Sequence, residues 1–181
     1  MDMLIVDLRP EHPGDAAAIR RVNERAFNTP AEADLVDALT RNGGVTLSLV
    51  ASIDGQVVGH ILFSPVTIER EGAHDEAIGL APMAVLPEHQ RRGIGDRLIR
   101  EGLDRLRRAG HGAVVVLGHP AYYPRFGFEP ASRFGLRWEI ACPDEAFMAL
   151  ELRPGALVSH PGIVRYRPEF GAVSSAEPPP A

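Results

Sequence analysis

The run Gln90-Arg91-Arg92-Gly93-Ile94-Gly95 follows Leu80-Ala81-Pro82-Met83-Ala84-Val85-Leu86-Pro87 and leads directly into Asp96-Arg97-Leu98-Ile99-Arg100. The upstream stretch is strand-like and closed by a proline; the downstream one opens an arginine-rich amphipathic helix. A strand that passes through a glycine-bearing loop into a helix presents the unpaired N–H groups of the first turn, and the positive end of the helix dipole, to whatever lies in front of it. Glycines at 93 and 95 remove side chains that would block close approach. Residues 90–96 therefore predict a cradle for an anionic ligand, and a pyrophosphate suits backbone amides of this kind.

Outward from this loop, the helix carries Gly95, Leu98, Ile99, Gly102, Leu103 and Leu106 at helical spacing, with Arg107 and Arg108 in its last turn and Gly110 as the cap. Its two glycines predict close packing against a sheet. Upstream, residues 77–86 read as a buried central strand, and residues 69–75 as a turn-prone connection. Before them, residues 45–53 and 56–63 are apolar, β-branched runs joined by Asp54-Gly55, a strong short signal for a tight hairpin. The N-terminal part reads as a strand at 3–8, ended by the segment from Pro10 to Pro13, and helices at 15–27 and 31–41. The first helix has Ala16, Ile19, Val22, Asn23 and Ala26 on one face, and Asn42-Gly43-Gly44 stops the second. Downstream, residues 113–117 form a fully apolar strand, followed by Gly118-His119-Pro120, a short helical segment at 122–126, and strands starting near 128–130 and at 147–152 and 163–166. Pro154-Gly155 and His160-Pro161-Gly162 separate the last two. Residues 174–181 predict a disordered tail.

A chain of 181 residues, 45% hydrophobic, fits one domain over residues 1–170. The net charge of −5 leaves no global footprint for nucleic acid, although Arg91, Arg92, Arg97, Arg100, Arg105, Arg107 and Arg108 concentrate positive charge locally. A basic patch on an acidic protein suits a compact phosphorylated ligand; beyond the first turn, most of these arginines read as the solvated face of a helix. Cys142 is the only cysteine, so no internal disulfide forms. Neither a secretory signal nor a membrane-spanning run is visible, and the expectation is a cytoplasmic protein. The seven histidines form no H-x-x-x-H or Cys/His cluster, and no metal is expected. No lysine occurs, so self-acetylation on lysine side chains is impossible.

The spacing Q-x-x-G-x-G over residues 90–95, with Met83-Ala84-Val85 and Pro87 upstream, resembles the acyl-coenzyme A motif of the GNAT (Gcn5-related) N-acetyltransferase superfamily. Tyr123-Pro124-Arg125-Phe126-Gly127-Phe128 looks like the family's Y-x-x-x-G-F pattern, in which the tyrosine reaches the sulfur of coenzyme A. Together with Leu117 to Phe128, the segment from Phe147 to Leu152 is similar to the YhbS-like branch of predicted bacterial N-acetyltransferases. That branch usually has an acidic residue where this chain has His119. The resemblance implies an α/β fold with a mixed, mostly antiparallel central sheet flanked by helices, its fourth and fifth strands splayed apart. It implies acetyl-CoA as cosubstrate, held by the main chain of Met83, Ala84 and Val85 and by Gln90, Arg91, Arg92, Gly93, Ile94, Gly95 and Asp96. An oxyanion would be held by a strand amide near Val85, and Tyr123 would donate a proton to the departing thiolate, its structural alternative being an aromatic that packs on the cofactor arm. Tyr122 is expected to point elsewhere. The family also includes dimers formed through late strands.

The reaction implied is attack of an unprotonated amine, from a small molecule or a protein, on the thioester carbonyl. An alkylamine of pKa near 10.4 needs a base or a water chain at neutral pH. The glutamate often found on the family's fourth strand has no clear match: Glu76 stands at or before the strand's start. His119 is a candidate base with a bland alternative as a loop histidine, and His60 is a weaker one. Acceptor specificity is expected around residues 28–32 and after Phe128, where Glu32, Asp34, Asp144 and Glu145 are acidic groups whose default reading is a solvated carboxylate. Cys142 reads as a bystander thiol. A non-catalytic acyl-CoA sensor remains the alternative. A dinucleotide-binding domain is disfavoured, since Gly93-x-Gly95 lacks the third glycine of that fingerprint.

Overall fold

The computed structural model describes residues 5–157 and 161–172. In chain order these form β1 (Val6–Pro10), α1 (Ala16–Phe27), α2 (Ala31–Arg41), β2 (Leu47–Ile53), β3 (Gln56–Arg70), β4 (Ala73–Val85), α3 (Ile94–Arg108) and β5 (Ala113–Leu117). Short strands β6 (Glu129–Pro130), β7 (Leu136–Trp138), β8 (Phe147–Glu151) and β9 (Gly162–Arg165) complete the sheet. The strand order is β1-β2-β3-β4-β5-β8-β6, with β9 pairing β3 and β7. Only the β4–β5 and β7–β9 pairs are parallel, so the sheet is mixed and mostly antiparallel.

Asp54-Gly55 turns β2 into β3 with both residues at positive φ, 49° and 77°, the backbone that a two-residue hairpin requires. The next hairpin is longer than its residues suggest. The stretch 69–75 is the end of a continuous β3–β4 ladder that runs to Arg70↔Ala73, with Gly72 at φ 73° in the turn. Its charged residues stand at the open end of the sheet, where Arg70 pairs with Asp75 at 2.6 Å and Glu69 with Arg165. Exposed ion pairs, not turn chemistry, explain that composition. The first strand begins at Val6 and runs through Pro10, which an edge strand tolerates because its outer N–H has no ladder partner. Met3 and Leu4 lie outside the described residues, as does the segment 174–181. Strand β7 has only three residues and follows Gly135, with no alternating run to announce it.

The helix α3 packs on the sheet through the glycine that its periodicity places inward: a β-carbon on Gly102 would come within 2.4 Å of the Phe63 ring. Leu98, Ile99, Leu103 and Leu106 are buried beside it. Phe63 pairs with Leu80, and the neighbouring rung, Ser64↔Gly79, turns to the other face by strand alternation. There the missing side chain of Gly79 makes room for the ring of Tyr166, 2.8 Å from where a β-carbon would stand.

Strand β4 has different edges. Toward β3 its register slips from Ile61↔Met83 to Phe63↔Leu80, leaving Ala81 and Pro82 opposite Leu62 as a bulge. Toward β5, pairing is confined to Ile78↔Val114 and Gly79↔Val115. A bulge bends its strand, and Pro82 has no N–H with which to extend the ladder. The two strands therefore part beyond residue 79, at the point where the site begins.

Candidate functional site

The N–H of Leu86 donates to the Val58 carbonyl at 2.9 Å, which makes Val58–Leu86 a hydrogen-bonded pair. By antiparallel alternation, Gly59↔Val85 and Ile61↔Met83 are non-bonded pairs, and the main-chain groups of Met83 and Val85 turn away from β3 into the gap. The gap holds a cavity of about 470 Å³. Met83, Ala84, Val85, Gln90, Arg91, Gly93, Ile94, Gly95, Asp96 and Tyr123 all line it; Arg92 is exposed and stands outside. On the far wall are Leu117, Gly118 and His119, and α1 contributes Ala26 and Phe27.

Gln90 closes one of the exposed edge groups, donating from Nε2 to the Val85 carbonyl at 3.0 Å. That leaves the Val85 N–H as the group of this residue directed into the gap. The two loop glycines have different reasons to be glycine. Gly93 caps α3 at φ 78°, a left-handed conformation, and nothing lies within 4 Å of where its β-carbon would be. A β-carbon on Gly95 would stand 3.0 Å from the Tyr122 hydroxyl and 3.4 Å from the Met83 side chain. Gly93 thus keeps the mouth of the cavity open, whereas Gly95 admits a neighbouring side chain of the protein itself.

That neighbour corrects the expectation that Tyr122 points elsewhere. The single helical turn Tyr123–Phe126 puts residues 122, 125 and 126 on one side, as i, i+3 and i+4 must be. Tyr122 lines the cavity, donates its hydroxyl to Asp96 Oδ1 at 2.8 Å, and supports the Arg125 guanidinium 4.6 Å from its ring centroid. Arg125 also lies 3.5 Å from Asp96 Oδ2. Burial, then the hydrogen bond to Asp96, holds the Tyr122 phenol above the ordinary range. The spacing that unites Tyr122 and Arg125 was present in the sequence, but only as a helical turn.

Tyr123 is 8% exposed and packs edge-on against Tyr122 and Phe128, with centroids 5.2 and 5.7 Å away. Gly118 lets its ring approach: a β-carbon there would be 2.3 Å from it. Burial raises the Tyr123 phenol well above its usual range, so it stays protonated. Its hydroxyl has no hydrogen bond among the described residues, and the residue lines the cavity.

The candidate bases separate. His119 lines the cavity, and its carbonyl accepts the N–H groups of Tyr122 and Tyr123 at 3.0 and 3.3 Å. His89, which sequence reasoning passed over, lines it too, with a buried Nδ1 lacking a partner among the described residues. Glu76 is exposed at the Thr67 rung, outside the cavity. His60 is fully buried and outside it as well. Its Nδ1 lies 3.1 Å from the Asn23 amide nitrogen and its Nε2 lies 3.0 Å from Ser48 Oγ. The Ser48 hydroxyl donates to Glu11, and the Asn23 amide also donates to the Ile19 carbonyl. This network assigns the tautomer: Nδ1 accepts and Nε2–H donates. Burial lowers the His60 pKa to about 3, which makes it a neutral core group and removes it as a base for the cavity.

The acidic residues also divide. Asp34 pairs with Arg20 at 2.7 Å, and Asp144 and Glu145 are exposed. Glu32, read as solvated, is buried; one carboxylate oxygen lacks a partner among the described residues, and desolvation raises its pKa. Burial, and then Asp144, raises the Cys142 thiol, leaving it a poor nucleophile outside the cavity. Among the described residues, no helix is long and apolar enough to cross a membrane.

Residues 7–131 match the profile of a family described as acetyltransferase (GNAT) domain. The chain belongs to the GNAT family. It is 42% identical over 164 residues, 90% of its length and 97% of the relative's, to the uncharacterized N-acetyltransferase YhbS of Escherichia coli K12. Its fold superposes on the crystal structure of E. coli YhbS in complex with CoA with a TM-score of 0.87, covering 94% of each chain at 40% identity. A GNAT acetyltransferase from Brucella melitensis in complex with acetyl-CoA gives 0.77 at 42% identity, covering 93% of this chain and 99% of that one. The splayed β4–β5 pair and the helices flanking the sheet are thus those of a GNAT domain.

Proposed function

We propose that this GNAT domain transfers the acetyl group of acetyl-CoA to a primary amine by direct attack on the thioester. The observation that carries the reading is the edge of β4: main-chain groups of Met83 and Val85 face an open gap that leads straight to the glycine-capped N-terminus of α3. Such a gap suits an extended amide-bearing arm ending in phosphates, and relatives at 40% and 42% identity are complexed with CoA and acetyl-CoA. The fit lies in the residues: Met83 and Val85 to bind the arm, and the amides of the loop from Arg91 to Asp96 to bind the diphosphate.

Acetyl-CoA supplies the acyl group already activated as a thioester. The Val85 N–H, directed into the gap, is placed for the oxyanion that attack develops. Tyr123 donates a hydrogen bond to the departing sulfur. With its phenol raised above the ordinary range and a thiol pKa of about 8.5, complete proton transfer runs uphill, so its contribution is a hydrogen bond to a thiolate that is already a fair leaving group. The imidazoles of His119 and His89 are the wall groups available to take the amine's proton. The acceptor is a small-molecule or protein amine.

Among the described residues, Asp96 is the only carboxylate lining the cavity, and it is engaged by Tyr122 and Arg125. This favours, as second reading, a domain that binds acyl-CoA without turnover. Calorimetric titration with CoA and acetyl-CoA, followed by thiol release across a panel of primary amines, separates the two. Binding with amine-dependent release supports the transferase; binding without release from any amine supports the sensor. Absence of binding by the folded protein sinks both.

A further inference from the structure

Asp96 sits in the first turn of α3, where the proposed diphosphate would lie, and a carboxylate there opposes an anionic ligand. Its surroundings answer that charge. The Tyr122 hydroxyl fixes Oδ1, Arg125 stands beside Oδ2, and the Tyr122 ring holds the guanidinium from below. The Arg125 side chain remains half exposed on the cavity wall. A guanidinium has five N–H donors, and Arg125 makes no other ion pair or hydrogen bond among the described residues, so donors are left for a second anion.

We propose that Arg125 is a diphosphate-positioning residue: it neutralises Asp96 at the mouth of the cavity and offers its remaining donors to the diphosphate of coenzyme A. The role rests on the acyl-CoA reading of the cavity. It differs from the main-chain cradle in coming from the segment after β5, far from α3 in sequence, although its guanidinium lies 3.5 Å from Asp96 Oδ2. Because Tyr123 belongs to the same helical turn, the contact between Arg125 and α3 also ties the tyrosine segment to the phosphate loop. Asp96 therefore acts as an anchor: it orients the arginine at the cost of a charge that the arginine cancels.

The test is calorimetric binding of coenzyme A to wild type, Arg125→Ala, Asp96→Asn and the double variant, with pantetheine, which has no diphosphate, as the control ligand. Arg125→Ala should weaken coenzyme A binding about tenfold, since it removes a charge-assisted hydrogen bond and uncovers Asp96. Asp96→Asn alone should bind at least as tightly as wild type, and the double variant should recover to within about threefold of it. Pantetheine affinity should be unchanged in all four. Circular dichroism checks folding, and Arg125→Gln, which keeps most of the stem packing, should follow the alanine variant. Equal losses for pantetheine and coenzyme A would show that Arg125 only shapes the wall, and a double variant as weak as Arg125→Ala would remove the compensation; either overturns the proposal. Wild type that binds coenzyme A while Arg125→Ala binds equally well overturns it and leaves the acyl-CoA reading standing. Failure of wild type itself to bind overturns both.

Discussion

The two edges of β4 have opposite designs. On the β3 side its ladder continues from Gly59↔Val85 to Arg70↔Ala73 with one bulge, and behind that ladder His60 is sealed in a hydrogen-bonded network with neither ring nitrogen free. On the β5 side it pairs at only two rungs, and the backbone beyond them faces a cavity. Both ring nitrogens on the closed side find partners within the protein, whereas on the open side the Val85 carbonyl is met, among the described residues, only by the Gln90 side chain. One strand thus serves as core on one side and as an open edge on the other, and the bulge at Ala81 and Pro82 marks the change.

The largest effect expected on the open side comes from Gly93→Glu. The bulk of a side chain and a negative charge at the mouth of the cavity together oppose coenzyme A by on the order of 3 kcal/mol, roughly a hundredfold or more in Kd by calorimetry. Stability should fall by only the cost of a side chain at positive φ, about 1–2 kcal/mol, because the position is exposed with nothing near its β-carbon. Loss of folding without a selective loss of binding would blur the contrast between the edges.

The closed side is broken by pH. With a folded pKa of about 3 against an unfolded value near 6.5, neutral His60 contributes stability that is complete above pH 6.5 and is lost as pH falls from there toward 3. At pH 5 the loss is about 2 kcal/mol. Urea titrations at pH 7 and pH 5 should show this loss in wild type and not in His60→Gln. An identical pH dependence in the variant would mean that His60 is not the buried neutral group described.

A smaller effect belongs to the wall opposite β4. Tyr123→Phe should lower the turnover number about tenfold while leaving coenzyme A affinity within about twofold, since only a hydrogen bond to the departing sulfur is lost. The wild-type rate should show no basic limb due to this phenol in the ordinary phenol range near pH 10. A change in affinity larger than the change in rate would assign Tyr123 to packing on the arm.

The loop before α3 was legible because its chemistry is local: Gly93 and Gly95 before an amphipathic helix predict a capped N-terminus whatever the rest of the chain does. Helix α2 was read with its observed bounds, and Asp54-Gly55 specified its turn, for the same reason. The reach of the β3–β4 hairpin was not legible, because residues 69–75 are polar in either a loop or an exposed ladder, and only pairing distinguishes them. His60 was misread as a candidate base since nothing near it in sequence reveals that Asn23, Ser48 and Glu11 close around it. Tyr122 was expected to point elsewhere, and Arg125 was given no role, because their shared partner, Asp96, lies 26 residues from Tyr122.

By itself, then, the sequence determined the positions of the helices, the hairpin turn and the glycine-bearing loop that opens α3, all set by contacts within a few residues of one another. Only the tertiary structure decided which backbone edge of β4 stays unpaired, which histidines reach the cavity, and why Gly95 must be small. Those outcomes depend on groups brought together from distant parts of the chain, and burial and hydrogen-bond satisfaction are properties of the assembled neighbours, not of any one stretch.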